Sequence, residues 1–120
     1  MIKIMNESSE KFLAVKATEK LTTEDYEKTW IPKLNELIDK YGQINAVLYL
    51  PAEFKGWTMG AMWDDAKFGI KHKNNFKKIA IVGGPKWVQW GTKLAAHLIK
   101  GELKTYNEDE LQTAIGWAKK

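Results

Sequence analysis

The chain has 120 residues, the length of one typical domain, and its 44% hydrophobic and 28% charged residues are ordinary for a globular protein. It has no cysteine, which excludes disulfides, a thiolate nucleophile and a cysteine-ligated zinc site. The net charge is +4 and all 19 basic residues are lysines, so the bidentate arginine contacts that read bases are absent and we expect no specific nucleic-acid partner.

The N-terminal segment lacks the apolar stretch of a secretory signal, and no uncharged stretch is long enough to span a bilayer. No linker, repeat or low-complexity segment divides the chain. We therefore expect a single cytoplasmic domain over residues 1–120, without a transmembrane segment.

The first elements are predicted to be a hairpin and a helix. Two short strands are predicted at Ile2–Asn6 and Phe12–Thr18, joined at Ser8–Glu10 as a hairpin. A helix is expected to begin at Thr22, which opens a capping-box pattern, and to end at Gly42. Pro32 lies inside this helix and is expected to kink it, because proline removes a backbone donor.

The two most apolar segments are Ile44–Leu50 and Lys78–Val82. Because both are apolar on both faces, we expect them to be adjacent or near-adjacent central parallel strands. Between them, we expect a loop over Pro51–Gly60 and a helix from about residue 59 to residue 71.

The last third of the chain predicts a helix after Pro85, an edge strand at Glu102–Tyr106 and a final helix capped at Asn107. The order ββαβαβαβα predicts an α/β domain: a mixed, mostly parallel sheet with an N-terminal hairpin, covered by helices. The helix after Pro85 is expected to bury a stripe formed by Trp87, Trp90, Gly91, Leu94 and Leu98.

Four segments of the chain resemble the SpoIIAA-like family, which is related to the STAS domain and to the lipid-carrying CRAL-TRIO fold: Leu21–Tyr26, Phe54–Trp57, Trp63–His72 and Phe76–Gly83. The resemblance covers nearly the whole chain and implies the same fold. The sporulation regulators that give the family its name change partners when a serine is phosphorylated at the start of the helix after the third strand. Here that neighbourhood has no serine, and Thr58 is its only hydroxyl.

Ligands of open α/β sheets collect at the carboxyl ends of the strands, which here include the Pro51–Gly60 loop. This loop and the helix start that follows it are rich in large apolar side chains, as expected of a surface that adapts to an apolar partner. Alternatively, the helical members, together with Ala66 and Ile70, form one face that packs on the sheet. The apolar candidates are Phe54, Trp57, Met59, Met62 and Trp63. We expect the segment from Phe54 to Trp57 to be an exposed functional edge.

The opposite face of the same helix carries Asp64, Lys67 and Lys71, where Asp64 and Lys67 have the spacing of a surface ion pair. Phe68 lies on this polar face, either covered by another segment or available to a partner. His72 and Lys73 continue a basic run, and lysines beside aromatic residues are typical of a surface for anionic lipids or acidic ligands.

Asp65 and His72 lie seven residues apart on one side of the helix, as the beginning of a general-base dyad would. No nucleophile stands beside them, and a metal site would need a further donor, for which the only other histidine is His97 on another helix. An ion-paired Asp and a helix-end His explain both residues without chemistry. We therefore assign no catalytic residue, metal or cofactor.

The sequence thus predicts a non-enzymatic binding domain, with an apolar or lipid-like ligand that has an acidic head. One alternative is a regulatory protein-interaction module similar to an anti-sigma antagonist but without its serine, or a homodimer built on the same aromatic residues. An enzyme using Asp65 and His72 is the remaining alternative. The ligand-binding candidates are Phe54, Trp57, Met59, Met62, Trp63, Lys67, Phe68, Lys71, His72 and Lys73.

Overall fold

Strands with apolar residues on both faces form the centre of the sheet in the computed structural model, which describes residues 1–95 and 100–120. In chain order, the strands of this part are β1 (Ile2–Ile4), β2 (Phe12–Ala17), β3 (Glu19–Leu21), β4 (Ile44–Leu50), β5 (Phe54–Trp57), β6 (Phe76–Gly83) and β7 (Glu102–Tyr106). Five of them form one sheet in the order β1-β2-β4-β6-β7. β1 is antiparallel to β2 and the other pairs are parallel.

β4 is the middle strand of this sheet and pairs with β6 in parallel, with Leu48 opposite Ile81. This confirms the prediction that the two most apolar segments are adjacent central strands. β7 lies at the edge of the sheet, as its half-polar sequence predicted. The predicted fold class, a mixed and mostly parallel sheet covered by helices, is therefore confirmed.

A second, two-stranded sheet was not predicted. β3 and β5 pair in parallel, with Leu21 opposite Trp57. The expected loop was therefore wrong over these four residues, because Phe54–Trp57 forms a strand. Its inward positions are Phe54, which is 7% exposed, and the buried Gly56, so Phe54 belongs to the core and not to an exposed edge.

One continuous helical segment covers residues 23–41 and is interrupted by a π-helical turn. Its parts are α1 (Thr23–Asp25), the π turn (Tyr26–Trp30) and α2 (Ile31–Tyr41). The predicted capping box at Thr22 is present, and Gly42 follows the last turn with φ of 81°. Pro32 is the second residue of α2, one residue beyond the π turn, so the expected local irregularity takes the form of an extra residue in the preceding turn.

The remaining helices of the described part are α3 (Met59–Lys71), α4 (Lys86–Ala95) and α5 (Leu111–Lys119), the last preceded by a 3₁₀ turn at Glu108–Glu110. The capping box at Asn107 is present as predicted. Trp87 of the predicted α4 stripe is half exposed, whereas Leu98 and His97 lie outside the described residues. Among the described helices, none is long and apolar enough to cross a membrane.

The two faces of the sheet have separate cores. The first face contributes Leu13, Val15, Ala46 and Leu48 and packs against α2 through Leu34, Leu37 and Ile38. The second face contributes Phe12, Ala14, Val47, Ala80 and Val82 and packs against α5 through Ala114, Ile115 and Ala118. Alternation along β2 and β4 therefore supplies both cores from the same strands.

Helix α3 is rotated relative to the prediction. The side chains expected to pack on the sheet are exposed: Met59 by 88%, Met62 by 52%, Trp63 by 65% and Ile70 by 59%. Ala61 is buried instead, and Phe68, assigned to the polar face, packs against the first core. The apolar stripe of α3 thus faces outward.

Candidate functional site

A cavity of about 370 Å³ lies between the first face of the sheet and the helices above it. Its floor comes from β4, β6 and β7 and consists of Ala46, Leu48, Phe76, Ile79, Ile81 and Leu103. Its upper side comes from the π turn, α2, β5, α3 and α4 and consists of Trp30, Leu34, Trp57, Met62, Asp65, Phe68, Gly69, Trp87, Val88 and Thr92. Nearly every lining side chain is apolar.

The upper side of the lining contributes four aromatic side chains, which we call the aromatic wall: Trp30, Trp57, Phe68 and Trp87. The rings of Trp57 and Trp87 meet edge to face with centroids 5.4 Å apart. Phe54 supports this wall from behind, since its ring lies 4.9 Å from that of Trp57 at an interplanar angle of 78°. These arrangements are favourable for aromatic pairs and fix the orientation of the wall.

A chain of hydrogen bonds, the hydrogen-bond relay, connects the aromatic wall to a carboxylate. The indole Nε1–H of Trp57 donates to the hydroxyl of Tyr26 over 2.8 Å, and this hydroxyl donates to Oδ1 of Asp65 over 3.0 Å. Tyr26 is the first residue of the π turn and is only 1% exposed. The relay therefore joins the π turn, β5 and α3 at one side of the cavity.

Asp65 lines the cavity and its side chain is accessible to solvent, although protein atoms crowd its carboxyl. Loss of hydration raises the pKa of the Asp65 carboxyl, and the hydrogen bond from Tyr26 partly offsets this rise. Burial also raises the pKa of Tyr26, and the negative charges of Asp65 and Asp64 raise it further. Tyr26 consequently remains protonated and acts as the donor to Asp65.

The two neighbouring carboxylates of α3 have no positive partner in the described part of the chain. The ion pairs found there join Asp25 to the N-terminal ammonium, Glu24 to Lys28, and Glu36 to Lys33. The predicted pair of Asp64 with Lys67 is therefore not formed. Oδ2 of Asp64 is buried and accepts no hydrogen bond from any described residue.

The structure brings only some of the predicted site residues to this cavity. Trp57, Met62 and Phe68 line it. Phe54 lies behind Trp57 in the core, and Met59 and Trp63 are exposed on the outer side of α3. The exposed lysines are not among the described lining residues: Lys67, Lys71 and Lys73.

His72 and Asp65 are not joined as a dyad. The Nδ1 atom of His72 lies 3.0 Å from Oδ1 of Asn75, and its ring lies 4.4 Å from that of Phe68. The hydrogen-bonding partner of Asp65 is Tyr26. Each side chain therefore has a partner of its own, and the two partners differ.

Sequence reasoning missed Tyr26, Trp30 and Trp87 as site residues, because their spacing resembles that of ordinary core positions. The sequence offered one chemical indication: the polar atom of a buried tyrosine or tryptophan needs a hydrogen-bond partner, so these residues were candidates for a polar contact. Thr58 serves as the N-cap of α3, where its hydroxyl oxygen accepts from the backbone of Ala61 over 3.2 Å.

Comparisons with known proteins agree with this architecture. A crystal structure of an uncharacterised protein from Shewanella loihica with a SpoIIAA-like fold is similar at 36% identity and a TM-score of 0.74, covering 98% of this chain and 93% of the other. No curated protein matches. The model of the SpoIIAA-like family matches residues 12–119. The chain therefore belongs to the SpoIIAA-like family, as its sequence segments indicated.

Proposed function

We propose that this chain is a non-enzymatic binding domain whose cavity holds one small, largely apolar molecule. The observation that supports the proposal is the cavity of about 370 Å³, with apolar and aromatic walls and one carboxylate. Small-molecule sites in proteins commonly have this size and this composition, with a few polar groups that orient the ligand. The relay would hold Asp65 and Trp57 in place before the ligand arrives.

An acidic head group on the ligand, expected from the lysine run, does not fit this cavity. A ligand carboxylate or phosphate would meet the carboxyl of Asp65, and like charges at close range repel. None of the lining residues described is a lysine that would neutralise it. The proposal therefore keeps the apolar body of the expected ligand and drops its acidic end.

A cavity-filling substitution tests this proposal. Gly69 lines the cavity, and a Cβ atom placed there has no neighbour within 4 Å, so Gly69→Leu would put a side chain into open space. Gly116→Leu is the matched control, because Gly116 lies in α5, away from the cavity lining, and also has free space. Both changes remove a helical glycine and should raise helix stability by about 1 kcal/mol.

The probe is the neutral hydrocarbon neopentylbenzene, measured by ligand-observed NMR and by quenching of tryptophan fluorescence. We expect wild type and Gly116→Leu to bind it, and Gly69→Leu to bind it at least roughly tenfold more weakly, which corresponds to about 1.4 kcal/mol. Equal binding by all three proteins, or binding by none, would contradict the proposal.

A second candidate function, protein–protein interaction, is favoured by the outer side of α3. Met59, Trp63 and Ile70 are all more than half exposed along this helix and do not line the cavity. Contiguous exposed apolar side chains commonly mark interaction sites. Sedimentation velocity should then show concentration-dependent association that Trp63→Gln removes and Tyr41→Gln, a change at a less exposed aromatic residue on α2, leaves intact. A monomer at all concentrations would exclude self-association through this face.

A further inference from the structure

We infer that the cavity is a site for an organic cation, an apolar molecule whose ammonium group lies against the carboxylate of Asp65. This inference rests on the proposed function, because it names the chemical class of the ligand. It is carried by three observations: the position of Asp65, the absence of a positive partner for two carboxylates among the residues that the structure describes, and the aromatic wall.

The first observation is that Asp65 presents an acceptor to the cavity. Tyr26 donates to Oδ1, and Oδ2 accepts no hydrogen bond from any residue in the described part of the chain. The relay also fixes the direction of the carboxylate, since Tyr26 is itself held by the indole N–H of Trp57. A ligand therefore meets a preoriented acceptor.

The second observation is charge. In the described part of the chain, neither Asp64 nor Asp65 forms an ion pair, although 19 lysines are present in the sequence. Oδ2 of Asp64, which is not among the lining residues, is also buried without a hydrogen-bond donor from the described residues. A carboxylate in apolar surroundings is costly unless a positive charge accompanies it. A cation in the cavity supplies that charge to Asp65, which lines the cavity, whereas an anion is repelled by this carboxylate and a neutral ligand leaves it without a positive partner.

The third observation is the aromatic wall. Trp30, Trp57, Phe68 and Trp87 line the same cavity as Asp65. The faces of aromatic rings attract cations, tryptophan most strongly, and aromatic cages bind quaternary ammonium groups in this way. A carboxylate among tryptophans thus selects a cation with an apolar body over a small hydrated ion.

An isosteric pair of probes separates charge from shape. Benzyltrimethylammonium and neopentylbenzene differ only in that a cationic nitrogen replaces a neutral carbon, and 4-phenylbutyrate supplies the anionic comparison. The proteins are wild type, Asp65→Asn, and Asp39→Asn as the control that removes one exposed carboxylate from α2. Dissociation constants are measured by ligand-observed NMR.

We expect wild type and Asp39→Asn to bind the cation at least roughly tenfold more tightly than the neutral isostere, and the anion most weakly. Asp65→Asn should lose the preference for the cation and keep the binding of the neutral isostere. Equal binding of cation and isostere by wild type would overturn the inference while leaving the proposed function standing. A cation preference that survives in Asp65→Asn would overturn it too, and failure of all three probes would remove the proposed function with it.

Discussion

Tyr26→Phe is the most direct perturbation of the hydrogen-bond relay. The substitution keeps the buried ring and removes only the hydroxyl, which accepts from Trp57 and donates to Asp65. Leaving a buried polar group without its partner costs about 1–3 kcal/mol. Both former partners, Trp57 and Asp65, line the cavity, where Asp65 is accessible to solvent. We therefore expect the free energy of unfolding to fall by an amount near the lower end of this range, about 1–2 kcal/mol in total.

This loss converts to a measurable change in melting temperature. The unfolding entropy of about 2.1 cal/mol/K per residue gives about 0.25 kcal/mol/K for a chain of 120 residues. Tyr26→Phe should therefore lower Tm by about 4–8 °C in calorimetry. Tyr41→Phe is the control, because Tyr41 is 37% exposed and its hydroxyl has no partner among the described residues, and its effect should stay within about 2 °C.

A second readout distinguishes the relay from simple packing. The hydrogen bond from Tyr26 lowers the pKa of the Asp65 carboxyl, so its removal should raise that pKa further. A ¹³C NMR titration of the aspartate carboxyls in wild type and Tyr26→Phe measures the change. If Tyr26→Phe melts like Tyr41→Phe and the Asp65 pKa stays where it is, the relay described here is wrong.

Three further predictions concern other parts of the structure. The pKa of the Asp65 carboxyl is raised in the folded state above its ordinary value of 3.8, so the folded state binds the proton more tightly than the unfolded state does. The protonated carboxyl therefore adds to the free energy of unfolding at low pH, and this addition is lost as pH rises through the folded-state pKa. Urea unfolding should therefore show Asp65→Asn gaining on wild type as pH rises above about 4, and parallel curves would refute this. Phe54→Ala should cost about 3–5 kcal/mol because Phe54 is in the core, whereas Trp63→Ala on the exposed side should stay within about 0.5 kcal/mol. Comparable losses for both would contradict these positions. His72→Ala should cost about 1 kcal/mol, for one partly buried hydrogen bond, and a loss above about 3 kcal/mol would assign it a larger role.

The central sheet was predictable because its strands carry their own signals. β4 and β6 are apolar on both faces, and the caps at Thr22 and Asn107 are local patterns that the structure contains. β3 and β5 were missed because they are three and four residues long and include Lys20, Lys55 and Gly56. Such short segments contain too few alternations to distinguish a strand from a loop.

The candidate site was less predictable because its contacts are distant along the chain. Tyr26 lies 39 residues before Asp65 and 31 before Trp57, so no local spacing indicates the relay. The orientation of α3 failed for a different reason. Hydrophobic periodicity shows that a helix has an apolar side, but it does not determine whether the sheet or another surface covers that side. The sheet does not cover Met59 and Trp63, which are exposed.

The π turn marks the point of this helical segment where a change of one residue in chain length can be absorbed. The backbone N–H of Ile31 donates to the carbonyl of Tyr26, five residues earlier, so this turn contains one residue more than an α-helical turn. Deleting one residue among positions 27–29 would restore regular helical spacing before Pro32. Because a π turn accommodates its extra residue within that turn, Tyr26 would keep nearly its present orientation relative to α2 and stay beside Asp65 and Trp57. The same deletion within the regular turns of α2 would instead rotate the residues before it by about 100° relative to those after it. A single-codon deletion should therefore leave the relay connected in the π turn and distort the helix in α2.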